Sequence, residues 1–179
     1  MISKTMIFDE VAAGLVLRGV ADDEVKRRVQ AVLKVCGLYE FRHWPISALS
    51  FGQKKRVTIA AILVLEPAML ILDEPTAGQD LQHYTEMMTF LTKINQEQHM
   101  TIMLITHDMH LMLEYTDRTI VLGHGNILMD ARPADVLTNA SIIQQASLAK
   151  TSLYTLAEAH HLNPTEFVAK FVQAEREAR

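Results

Sequence analysis

Two kinds of hydrophobic pattern run along the chain. Over residues 22–36 the apolar positions Val25, Val29, Val32 and Leu33 share one helical face, acids crowd the first turn, and Gly37 follows the end, so a helix is expected there. Residues 81–96 repeat this at Tyr84, Met87, Met88, Phe90, Leu91 and Ile94, with Asp80 placed as an N-cap. Met69-Leu70-Ile71-Leu72 is apolar without alternation, and so is most of residues 101–105. Such runs predict strands buried on both faces. The chain therefore reads as α/β.

Between these elements, residues 57–65 form an apolar run behind the basic Lys54-Lys55-Arg56. Residues 108–115 suggest a short helix and residues 133–137 one helical turn, while strands at 119–122 and 127–129 meet at Gly123-His124-Gly125-Asn126, a hairpin turn. Residues 141–179 are helical in pattern. Their last element has an explicit start, with Asn163 as cap, Pro164 first and Glu166 third, then the stripe Phe167, Val168, Phe171 and Val172 and a charged end at 175–179. Residues 1–5 have no pattern of their own, and residues 6–19 mix apolar positions with Asp9, Glu10 and Arg18.

A length of 179 residues suits one domain or a large part of one. The net charge of −4 gives no basic footprint, so no nucleic-acid partner is expected. A lone cysteine, Cys36, forbids an intramolecular disulfide, and no secretory signal precedes it, which points to the cytoplasm. The longest apolar run falls well short of the roughly 20 residues that span a bilayer. Any membrane crossing is expected of another subunit.

The candidate chemistry lies in residues 47–80. Leu49-Ser50-Phe51-Gly52-Gln53 opens a helix: the Ser50 hydroxyl can cap an orphan amide, and Gly52 lets another backbone approach. Such a helix start attracts anions, because unpaired N–H groups and the positive end of the dipole point the same way. The strand at residues 69–72 then delivers Asp73 and Glu74 to its carboxyl end, where α/β sheets bind ligands, and Pro75 stops it. Asp73 suits Mg²⁺, a hard ion that takes one or two carboxylates plus substrate phosphates. Glu74 is placed to orient or deprotonate an attacking water, as phosphoryl transfer requires. The strand at 101–105 sends His107 to the same edge, where a neutral imidazole can donate to a γ-phosphate.

These motifs, in this order, resemble those of ATP-binding-cassette (ABC) ATPases. Leu49-Ser50-Phe51-Gly52-Gln53 is similar to the family's signature, with Phe51 where glycine is commonest, and residues 70–74 resemble its Walker B strand. Thr76-Ala77-Gly78-Gln79-Asp80 resembles the D-loop, and Thr106-His107-Asp108 the switch-histidine loop. Residues 7–15 and the C-terminal helices resemble the energy-coupling-factor (ECF) importer branch. The resemblance implies an incomplete P-loop NTPase domain over residues 1–139, with a helical signature subdomain at about 20–66, parallel strands, and a C-terminal helical extension over 140–179. That extension either pairs two ATPase subunits or packs on its own domain.

The resemblance further implies ATP and Mg²⁺ as ligands, Glu74 and His107 as catalytic residues, and Asp73 at the metal. Leu49, Ser50, Phe51, Gly52, Gln53 and Asp80 would touch nucleotide. The implied partners are a second ABC ATPase subunit and an integral membrane subunit, at the cytoplasmic face of the membrane. In that branch the cargo is a vitamin or a transition-metal ion. An alternative, a soluble ABC-type ATPase acting on DNA or ribosomes, would be expected to show a coiled-coil insertion, a basic face or a second cassette, and the chain carries none of these.

One motif is missing. None of the seven glycines is followed by lysine, so no Gly-x-x-x-x-Gly-Lys-Ser/Thr loop occurs. That loop cradles the phosphates of ATP, and without it the chain is expected to be inactive alone. The expectation is a C-terminal part of such an ATPase, begun at an internal methionine. Losing the strand that feeds the loop would leave an unpaired apolar edge.

Overall fold

The computed structural model describes residues 4–178, so residues 1–3 of the patternless start and Arg179 of the charged end lie outside the described residues. The chain divides into two compact units, one through Ile105 and one from Thr106 onward.

The first unit opens with three helices, α1 (Ile7–Leu17), α2 (Asp22–Val35) and α3 (Phe51–Leu63), with single 3₁₀ turns at Tyr39–Phe41 and Ile46–Ala48 before α3. Each helix buries one stripe at helical spacing: Ile7, Val11 and Leu15; Val25, Val29 and Leu33; Val57, Ala60 and Val64 just beyond α3. Helix α1 packs against both others. It approaches closely at Gly14, where an added Cβ would lie 2.9 Å from the Leu65 side chain. His43 and Trp44, just before Pro45, are exposed, although the Trp44 ring meets Phe41 edge-on at 5.1 Å.

Strands β1 (Met69–Asp73) and β2 (Thr101–Ile105) pair in parallel, from Met69 opposite Thr101 to Asp73 opposite Ile105, and α4 (Leu81–Gln98) connects them and packs on β2. The expectation of burial on both faces is corrected here. Leu70 is buried, but Met69, Ile71, Met103 and Ile105 are exposed, Ile71 at 57%. In register these four form one bare apolar face. The sheet has two strands among the described residues. One helix layer can cover only one side of it.

The second unit begins with α5 (Met109–Tyr115) and the antiparallel hairpin β3 (Thr119–Gly123) and β4 (Asn126–Ala131). His124 and Gly125 both have positive φ, 50° and 77°, as a two-residue type I′ turn requires. Helices α6 (Pro133–Leu137), α7 (Ala140–Gln145), α8 (Ser152–Ala159) and α9 (Pro164–Glu177) complete it. Asn163 caps α9 by accepting the Glu166 amide, with Pro164 at the first position. Leu113, Val121, Val136, Leu137, Ile142 and Val168 form the core, and Phe167 and Val172 pack around it. The stripe of α9 is thus taken up largely by its own unit. Arg176 reinforces this, donating to the carbonyls of Leu113, Glu114 and Thr116 and to the Asp117 carboxylate.

Candidate functional site

The helix start at Ser50 is a complete capping box. The Ser50 hydroxyl accepts the Gln53 amide at 3.3 Å, and the Gln53 side-chain oxygen accepts the Ser50 amide at 3.0 Å. Leu49 is buried and anchors the turn, while Ser50 itself is exposed. The amides of Phe51 and Gly52, next in the first turn, have no partner among the described residues. Phe51 is 61% exposed. At Gly52 an added Cβ would stand 3.9 Å from the His83 ring, so the start of α3 and the start of α4 are neighbours.

The acidic pair sits where β1 ends. Asp73 is exposed and in register with Ile105, and Glu74 is half-buried, its amide donating to the Ile105 carbonyl at 2.9 Å. Glu74 has φ 45°, in the left-handed region that glutamate seldom adopts. From there the chain turns tightly, Ala77 donating to the Glu74 carbonyl and Gln79 to that of Thr76, with Gly78 at φ 68°. Asp80 caps α4 by accepting the His83 amide at 2.9 Å, and His83 Nδ1 lies 2.8 Å from the same oxygen. That backbone bond first, and the ring second, hold the Asp80 carboxyl below its usual range.

Two side chains of this site were not singled out in the sequence. Lys55 donates to the Pro75 carbonyl at 2.7 Å, and the Gln79 side chain donates to the same oxygen at 3.3 Å. The Lys55 ammonium also lies over the Phe51 ring, 5.0 Å from its centroid. Burial lowers the Lys55 pKa. Its place within Lys54-Lys55-Arg56 gives no hint of an acceptor 20 residues away.

Within the first unit Gly52 lies beside His83, whose amide and ring meet Asp80, and Lys55 of α3 reaches Pro75, the residue that follows Asp73 and Glu74. His107 belongs to the second unit, exposed and two residues beyond β2 in the chain. Its neighbour Asp108 caps α5, accepting the amides of His110 and Leu111. Among the described residues no three His, Cys, Asp or Glu side chains cluster as a metal cage. One exposed carboxylate, Asp73, fits a Mg²⁺ that draws its remaining oxygens from phosphates and water.

Residues 2–77 match the family model described as ABC transporter. A protein of Lactiplantibacillus plantarum, named an ABC transporter ATP-binding protein, is 99% identical over all 179 residues, and one of the same name from Enterococcus faecalis is 64% identical. The chain spans about a third, 32%, of the length of each. Among solved structures, cbiO1 from Clostridium perfringens, part of the ABC transporter complex cbiONQ, is 33% identical with a TM-score of 0.72, covering 90% of this chain and 63% of that one.

Proposed function

The chain belongs to the ABC transporter family, and on that premise we propose that it is part of an ATP-hydrolysing subunit of an ECF-type importer of a vitamin or metal ion. The observation that carries the reading is the exposed, Ser50-capped start of α3, held beside the turn that carries Glu74 and leads into Asp80. The likeness to cbiO1, part of cbiONQ, supports the ECF branch.

In this reading Ser50 and Gly52, with Leu49, Phe51 and Gln53, present their helix start to a nucleotide held by a partner ATPase subunit, and Asp80 faces the same interface. Asp73 holds Mg²⁺, directly or through water; the ion neutralises phosphate charge when bound. Glu74 orients or deprotonates the attacking water, and His107 donates to the terminal phosphate. A phosphate loop is required from sequence outside these 179 residues, so this chain alone is inactive. No helix among the described residues is long and apolar enough to cross a membrane. A separate integral membrane subunit carries the cargo, with this protein at its cytoplasmic face. Residues 1–139 are the cassette part and residues 140–179 an extension; Val168, fully buried in the second unit, supports packing rather than pairing.

The test compares this chain with the full-length L. plantarum protein. We expect ATP hydrolysis only from the long form, and Glu74→Gln there to reduce its rate by about 10²-fold or more, the scale of a lost general base. Undiminished hydrolysis in that variant would overturn the role of Glu74.

A further inference from the structure

The carbonyl of Pro75 is the point where α3 and the Glu74 turn are joined. Pro75 is buried, and two donors from different elements meet its oxygen: Lys55 of α3 at 2.7 Å and Gln79 of the turn at 3.3 Å. One residue earlier Glu74 holds its left-handed backbone, fixed on its other side by the bond from its amide to Ile105 at the end of β2. A strained residue persists only when its surroundings over-determine it. Here the surroundings are one anchor from the sheet and one from α3.

Lys55 stands four residues after Phe51, on the same helical face, and its ammonium rests over that ring. The aromatic side chain in the signature therefore has work inside this unit: it sits under the cation that reaches Pro75. A lysine whose head is drawn from water needs a fixed acceptor, and among the described residues the Pro75 oxygen is its hydrogen-bond partner.

We propose that Lys55 is a positioning residue that ties the signature helix to the Glu74 turn, so that seating the start of α3 on a partner's nucleotide sets the aim of the Glu74 carboxylate. The proposal rests on the ATPase reading above. It makes the coupling reciprocal, since whatever reorders the Glu74 turn must also shift α3.

The experiment uses the full-length L. plantarum protein with Lys55→Met, which keeps the stem and removes the donor, and Lys55→Arg, which restores a donor. In steady-state hydrolysis Lys55→Met is expected to lower kcat about tenfold while KM for ATP stays within about twofold, and Lys55→Arg to recover most of the loss. In nucleotide-free amide hydrogen exchange, Lys55→Met is expected to speed exchange at Ala77 and Gln79, about tenfold, with α1 and α2 unchanged, since local opening is set by local anchors. Equal exchange in wild type and Lys55→Met overturns the proposal, as does a fall in kcat that Lys55→Arg fails to restore in a protein whose α1 and α2 exchange is normal. If α1 and α2 also exchange faster, Lys55 is a general stability residue and the proposal fails. Wild-type protein without hydrolysis, or undiminished hydrolysis in Glu74→Gln, would sink the ATPase reading instead, leaving the exchange result to decide whether Lys55 holds the turn.

Discussion

Ser50 shows how one side chain fixes a helix start. Its hydroxyl and the Gln53 side chain satisfy each other's backbone amides, and this fixes where α3 begins. That arrangement leaves the amides of Phe51 and Gly52 without a partner among the described residues. Replacing Ser50 by Ala should cost about 1 kcal/mol of stability, the usual worth of an N-cap. Replacing it by Asp should cost little, because a carboxylate caps as well and suits the helix dipole. Chemical denaturation of both variants checks this: equal midpoints for Ser50→Ala and wild type would show that the box contributes nothing. The motif was legible because a capping box is local in sequence. Lys55 was not, because its acceptor is 20 residues away and only the packing of α3 brings them together.

At the scale of elements, the helices followed from periodicity and caps. Helix α2 has acids at its start and one buried stripe, and the observed Asp22–Val35 lies within the predicted span. Its first turn also carries a pH dependence. Glu24 is held down to about 2 from 4.5, first by its bond to Arg27 and then by that to Arg28. The unfolded chain therefore binds this proton more readily than the folded one, so the contribution is whole above pH 4.5, fades as pH falls, and is gone near pH 2. Thermal denaturation of wild type and Glu24→Gln across that range should show wild type ahead at the upper end and the gap closing toward pH 2. A gap independent of pH would mean that the Arg27 and Arg28 contacts do not persist in solution. The strands were legible in position and not in burial. An apolar run encodes what a strand is built to meet, and the meeting surface is supplied by other segments.

At the scale of the whole molecule, the bare face of β1 and β2 is the main liability. A two-stranded sheet with one covered side is marginal, and exposed Met69, Ile71, Met103 and Ile105 invite association. This chain should therefore bind a hydrophobic dye such as ANS strongly, and the full-length L. plantarum protein, three times as long, should bind much less per molecule. Comparable dye binding would indicate that the rest of the longer protein does not cover that face. The sequence by itself determined the elements, their caps, the hairpin turn and the order of the motifs that resemble those of ABC ATPases, because each depends on residues within a few positions of one another. Only the tertiary structure decided that Lys55 reaches Pro75, that Gly52 neighbours His83, that Val168 is spent in its own unit and that one sheet face stands open. Those facts depend on pairings across long stretches of chain, where spacing carries no information and the balance of buried surface decides.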